Sequence, residues 1–418
     1  MRIQIPRNWF DLCVWSLICF LSIGRFALDL IPLEISGLRV NQIFLYIIFA
    51  MYVLARSPSF KLGQLFRGGN PWLFALALWA IASSFWAVTQ LESLVKGLTF
   101  LLVALGCVLF SQRLSPEDTI RGALLGAFAA IAVSVGLAVS APDTYGTTPF
   151  HDGAWRGMYE QKNVLGRGAM LGLAFLYTLR TANSIRLGLM SQLLIGSIFA
   201  LALIKSQSAS SLVGAVLFVS MLRPATMVLA GGPRLRLFFV MAAPVLCVVF
   251  VLSADAALGY ILQATGKDED LTGRVPLWLY ALGDIAERPF LGYGLDSFFI
   301  DSREGALTMA LGWTPDQSHN GFLDMILELG VVGLVLLGGA LISAFRRLPY
   351  AKPNSRAAAV VGVSVLLLLF AQNLTESNLY RSSNLIWLIL SISVAHLSVP
   401  KRAPSVPGQA KETKLSRT

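Results

Sequence analysis

Apolar segments long enough to cross a bilayer recur along almost the whole chain, and this recurrence limits what it can fold into. A spanning helix needs about 20 mostly apolar residues, because the hydrocarbon core is about 30 Å thick and a helix rises about 1.5 Å per residue. Such segments fall at roughly 9–31, 36–55, 71–88, 94–111, 120–140, 164–181, 186–204, 209–222, 235–257, 320–344, 357–374 and 382–398. The segment at 209–222 is short and the first is irregular, so about ten to thirteen spans is the fair range. With 418 residues, 56% of them hydrophobic, and a mean hydropathy of +0.68, no stretch is left for a large soluble domain. The sequence predicts an all-α polytopic membrane protein with about 12 transmembrane helices. It divides into one integral membrane domain over 1–398 and a polar, Pro-containing, disordered tail over 399–418.

The net charge of +10 is compatible with a nucleic-acid partner until its placement is read. With the N-terminus inside, the cytoplasmic connections and the tail hold 21 of the 33 basic residues, the outer loops hold nine, and three lie within spans. That asymmetry is the positive-inside rule, so the charge sets orientation and contact with anionic lipid. Both termini are therefore expected in the cytoplasm, and no nucleic-acid partner is expected. Cys13, Cys19, Cys107 and Cys247 all fall within apolar spans, which excludes a disulfide framework or a cysteine metal site. The first span, with no small-residue cleavage site after it, is expected to be a retained anchor.

Two outer connections are long, at 141–163 and at 258–319 between spans 9 and 10. Long loops in compact domains are mostly functional. Within the second, "GRVPLWLYALGDIAERPFLGYG" places Leu277, Tyr280, Ala281 and Ile285 at helical spacing and then breaks at Pro289. It predicts an amphipathic helix at the outer membrane–water interface. No internal repeat is visible, which weakens a transporter built from duplicated halves.

Three constellations carry chemistry. In "SHNGFLDMILELGVVGLVLL", Asn320, Asp324 and Glu328 are four residues apart and share one helix face. Ionisable residues inside a span are costly and face a protein interior or a watery cavity. Gly330 and Gly333 are expected to let a neighbouring helix approach closely. His319, at the helix mouth, can accept a proton near neutral pH, or can simply cap the helix. The second constellation is "LTGRVPLW" with Arg274, and the third is "RGMYEQKN" with Arg156 and Lys162. Their cations lie on the side where positive charge is sparse, and an arginine fork suits phosphate oxygens. Lipid-headgroup contact or a loop ion pair is the plainer reading of each. Arg288, Arg303 and Arg381 rank lower because nothing local marks them. Asp268–Asp270 reads as a solvated loop cluster rather than a metal site. His151 and His396 read as structural, and Ser206, Ser208, Ser210 and Ser211 as helix packing.

"RGMYEQKNVLG", "SQSASSLVGAVL", "GRVPLWLYALGDIAERPFLGYGLDSF", "SHNGFLDMILELGVVGL" and "TESNLYRSSNLIWLI" follow one another in this order. Over about residues 70–398 the chain thereby resembles the O-antigen ligase/polymerase superfamily, most like its exopolysaccharide (succinoglycan-type) polymerization proteins. The resemblance implies a metal-independent, inverting glycosyltransferase of GT-C-like architecture in the bacterial inner membrane. It would act on the periplasmic face on undecaprenyl-pyrophosphate-linked oligosaccharides and would need no cofactor. A polymerase moves the growing glycan onto a new lipid-linked repeat; a ligase moves a finished glycan onto lipid A–core. A chain-length regulator and a flippase of the same pathway are the implied partners, besides membrane lipids.

Carried over by motif, His319 matches the family's acceptor-activating histidine and Arg274 its pyrophosphate-binding arginine. Arg156 and Lys162 match the basic positions of its earlier loop motif, and Asn163, Arg288, Asn320 and Glu328 are expected as further substrate-binding residues. The chain departs from the family pattern at Gln161, where relatives often carry histidine. A transporter of the same lipid-linked sugars is the rival from another class. It would be expected to show broken or charged helices near the bilayer midplane.

Overall fold

In the computed structural model the described residues are 8–26, 34–35, 38–56, 70–146, 153–185, 187–230, 274–299, 307–309, 314–345, 356–374 and 376–398. The predicted span at 235–257, Cys247, His151, Asp268–Asp270, Arg303 and the tail lie outside them. The helices are α1 (Trp9–Leu21), α2 (Val40–Arg56), α3 (Pro71–Ala82), α4 (Gln90–Ser111), α5 (Pro116–Ser140) and α6 (Lys162–Thr181). They continue with α7 (Leu189–Lys205), α8 (Ala209–Ala230), α9 (Arg274–Glu287), α10 (Gly321–Phe345), α11 (Arg356–Asn373) and α12 (Leu385–Ser398). A two-residue pair, β1 (Glu34–Ile35) with antiparallel β2 (Leu38–Arg39), leads into α2. All but α9 coincide with predicted spans. Among the described residues, Gln90–Ser111, Pro116–Ser140, Ala209–Met227 and Gly321–Ala344 are long and apolar enough to cross a membrane, and six further apolar helices are shorter. The chain is a polytopic helical membrane protein.

Local chemistry sets the helix starts. Asn70 accepts from the backbone N–H groups of Trp72 (3.0 Å) and Leu73 (3.4 Å), with Pro71 as the first residue of α3. Its amide also donates to Ser343 (2.7 Å) and Ser398 (3.1 Å), which ties α3 to α10 and α12. Ser115 caps α5 through Asp118 N–H at 3.1 Å, and Glu117 and Asp118 complement the positive helix end.

The helices pack α1 on α5, α3 on α4 and α10, α5 on α6, α6 on α7 and α8, α8 on α11, and α4 on α12. Small residues permit the tightest of these approaches. A Cβ on Gly126 would sit 2.4 Å from the Ser16 carbonyl oxygen of α1. Buried apolar side chains such as Trp15, Phe49, Phe110 and Trp387 fill the centre, whereas Leu54, Leu78, Ile204 and Val335 are exposed as on a lipid-facing surface. His396 meets Thr119 at 3.0 Å, and buried Ser206, Ser208 and Ser211 pack against Gly166, so these residues are structural as expected.

α10 is not continuous. Gly330 takes φ 68°, ψ −176°, which breaks the helix. Residues 289–294 close the break. Val331 N–H donates to the Pro289 carbonyl (2.8 Å), Tyr293 N–H to Leu327 (2.8 Å) and Gly294 N–H to Glu328 (2.9 Å). Gly330 is thus a break point, and its expected role as a helix-packing glycine is corrected. A Cβ there would stand 2.0 Å from the Phe290 carbonyl oxygen.

The connections assigned by charge to one side of the membrane do gather at one end. The C-terminus of α1, the N-termini of α2, α4, α6, α10 and α12, and the α11–α12 connection surround one cavity. At the other end Asp11 accepts from Tyr52 and Arg56, both at 2.8 Å, and Arg121 donates to the Ser184 carbonyl (2.7 Å).

Candidate active site

The site begins where α10 begins. Asn320 accepts from the N–H groups of Phe322 (3.1 Å) and Leu323 (3.2 Å), so it caps the helix. Ser318 N–H donates to Asp324 at 2.9 Å, and the Ser318 hydroxyl donates to the Asn320 carbonyl at 3.0 Å. Between them His319 is held at φ +56°, a conformation that side-chain-bearing residues seldom adopt. Its Nδ1 lies 3.7 Å from Glu376 Oε2. Asp296 (φ +53°) and Tyr380 (φ +44°) share that backbone region and belong to the same cluster, as strained residues at functional sites often do.

Asparagines shape the connection that carries Glu376 and Arg381. Asn373 accepts from Asn378 N–H (2.9 Å), Asn378 accepts from the Asn384 amide (2.8 Å), and Asn384 caps α12 through Ile386 N–H (2.9 Å). Arg381 reaches three carboxylates from there. It bonds Asp296, and its Nη2 lies 3.6 Å from Glu328 Oε1 and 3.9 Å from Asp324 Oδ2. Lys96, from α4, pairs with the other oxygen of Asp296. The backbone N–H of Asp296 donates to Glu328 at 2.5 Å. Burial disfavours the charge of Arg381, but the acids around it, Glu328 foremost, reverse this and hold the guanidinium above the usual arginine range. Buried charges persist only when paired in this manner.

The network opens onto a cavity of about 280 Å³. Four cations line it: Arg25 beyond α1, Lys96 on α4, Arg167 on α6, and Arg381. Arg167 donates to the Ile23 carbonyl at 3.3 Å, and Glu160 on the wall is engaged by Arg39 at 3.5 Å. Gln161, Asn163, Asp316 and Glu376 complete much of the polar lining. Such a chamber can take an anion with several charges and bring it beside the His319–Glu376 pair.

The sequence-predicted residues divide. Asn163 lines the cavity, His319 stands beside its wall through Glu376, and Glu328 is fully buried behind Arg381. Arg274 opens α9, and its side chain lies outside the described structure. One turn later, however, Trp278 donates to the Ser318 carbonyl at 2.8 Å, which joins the arginine and histidine motifs. Lys162 is buried and is not among the lining residues. Arg156 bonds its own loop at the Thr144 carbonyl (2.7 Å), Arg288 stacks 4.8 Å from the Tyr293 ring, and Asn320 is occupied as a cap.

Sequence reasoning passed over Arg25, Lys96, Arg167, Asp296 and Glu376, and ranked Arg381 low. A signal existed for three of them, because Arg25, Lys96 and Arg167 are basic residues within predicted spans. Helix α9 forms as expected, with Leu277 and Ala281 buried and Ile285 packed beside them. Tyr280, in contrast, is half exposed.

Residues 192–338 match the family described as O-antigen ligase. That segment contains Arg274, Asp296, His319 and Glu328. Over 351 residues the chain is 27% identical to the exopolysaccharide production protein ExoQ of Rhizobium meliloti (strain 1021), covering 79% of this chain and 78% of the relative. The matched segment and this relative together identify the chain as one that resembles the O-antigen ligase/polymerase superfamily, on its exopolysaccharide side.

Proposed function

We propose that the chain is a membrane glycosyltransferase that polymerises undecaprenyl-pyrophosphate-linked oligosaccharide repeats into exopolysaccharide or O-antigen. It works on the periplasmic face of the bacterial inner membrane, with both termini in the cytoplasm. The observation that carries this reading is the cavity where Arg25, Lys96, Arg167 and Arg381 converge beside His319 and Glu376.

The donor brings its own leaving group, so no nucleotide is consumed. An acceptor hydroxyl loses its proton to His319, and its oxygen forms a new bond to the anomeric carbon of the donor sugar. The bond from that carbon to the pyrophosphate oxygen breaks, and undecaprenyl pyrophosphate departs with the electron pair. The lining cations neutralise the charge that grows on it, a task that other enzymes give to a metal ion. Arg274, near the same mouth by way of Trp278, is the proposed second clamp on the pyrophosphate. The polyprenyl tail stays in lipid while the sugars reach water. A flippase supplying lipid-linked repeats and a chain-length regulator are the partners that such a reaction calls for.

Ligation to lipid A–core uses the same chemistry with a different acceptor; the relative's name, which speaks of exopolysaccharide production, favours polymerisation. Electrophoresis of surface glycans from a deletion strain distinguishes the two. A surviving single-repeat glycan is expected, whereas long chains accumulating on the lipid carrier would reject polymerisation in favour of ligation.

A second reading, transport of the same lipid-linked sugars, gains support from the break in α10 and from charged residues within spans. Against it, residues 289–294 close the broken ends within the chain, leaving them no substrate to bind. Purified chain that lengthens synthetic repeats in a single membrane system excludes pure transport; translocation without bond formation would establish it.

A further inference from the structure

Two kinds of counter-ion hold Arg381. Glu328 and Asp324 are buried behind it and do not line the cavity. Asp296 is different, because it lines the cavity and its carboxylate bridges Arg381 on one oxygen and Lys96 on the other. It is also held firmly. Its N–H donates to Glu328, Leu295 N–H donates to Ser83 (3.0 Å), and Ser297 accepts from Val88 N–H (2.9 Å). Gly294 approaches so closely that a Cβ would stand 2.5 Å from that of Ala87.

We propose that Asp296 is an internal counter-anion that makes the Lys96–Arg381 pair select a pyrophosphate over a single phosphate. The proposal rests on the reading of the cavity as the pyrophosphate site. Any anion that enters must take the two cations from Asp296 and then sit beside its carboxylate. A singly charged anion replaces one negative charge with another and gains little. A pyrophosphate replaces it with a surplus, and its second phosphoryl group can engage Arg25 and Arg167, which line the same cavity. Arg167 and Arg25 form no ion pair among the described residues. Discrimination then comes from a built-in repulsion against the smaller anion as well as from attraction to the larger one. The biological use is plain. Phosphodiester lipid headgroups, whose phosphate carries a single negative charge, are kept from occupying the site, while the pyrophosphate-linked donor is admitted.

The test is direct binding, without turnover, by the purified full chain in phosphatidylcholine nanodiscs. The probes are diethyl phosphate, which carries a single negative charge, and inorganic pyrophosphate, with affinity read by calorimetry. Wild type is expected to prefer pyrophosphate by at least about tenfold, the lower end of what one charge-assisted hydrogen bond contributes. Asp296→Asn should tighten phosphate binding about tenfold and shift pyrophosphate much less, while Asp296→Glu should keep the wild-type ratio. Should Asp296→Asn not yield folded protein, Asp296→Ser, which also removes the charge and leaves both cations in place, should show the same loss of preference. An unchanged ratio in the variant, or equal weakening of both ions that Asp296→Glu does not rescue, overturns the inference and leaves the pyrophosphate site standing. Binding of neither ion by wild type overturns the reading of the cavity itself, and the inference with it.

Discussion

The indole N–H of Trp278 donates a 2.8 Å hydrogen bond to the carbonyl of Ser318, the residue before His319. This one bond joins α9, which opens with Arg274, to the mouth of α10. Trp278→Phe keeps the bulk and removes the donor, leaving a buried carbonyl unpaired. The cost of such a loss is about 1–3 kcal/mol. Expressed wholly as misplacement of His319, it lowers kcat/KM by about 5- to 150-fold. Initial rates on synthetic lipid-linked repeats check this, and an unchanged kcat/KM removes Trp278 from the positioning of the site.

His319→Ala should abolish polymer while protein level and membrane insertion stay normal. A positioned base contributes about 10²–10⁴-fold. Residual activity above about a tenth of wild type would reduce His319 to a structural residue at the helix mouth.

Arg274→Lys separates a bidentate clamp from simple charge. An ammonium is a point donor without the planar fork, so a clamp loses most of its activity where a headgroup anchor loses little. The assay is purified enzyme in nanodiscs with and without a chelator. Near wild-type turnover by the variant, or complete dependence on added divalent metal, rejects the clamp.

Orientation is open to chemical labelling. Single cysteines in place of Thr148 and Gly305, in a cysteine-free background, should react with an impermeant maleimide once the outer membrane alone is permeabilised. Reaction only after lysis of the inner membrane would invert the topology.

The spans were legible because hydropathy is local, and so was the shared burial of Asp324 and Glu328, four residues apart on one face. Asn320 has the same spacing but caps the helix, because helix periodicity does not apply before the first turn. Gly330 read as a packing glycine because its break is imposed by Phe290 and Tyr293, far away in the sequence, and nothing near it signals one. Arg381 ranked low for a similar reason. Its partners Asp296 and Glu328 lie far from it in sequence, so only the folded chain marks it as central. The cations within spans were visible, and their cost in lipid was reason enough to ask what they face.

Because residues 289–294 close the open groups on either side of Gly330, α10 cannot reach its final form until that loop is in place. Each such group costs several kcal/mol if left in hydrocarbon, so the loop and the helix must mature together during biogenesis. The same reciprocity governs inheritance. A loop exchanged between relatives preserves the helix only when residues 289–294 and 327–332 travel as one cassette.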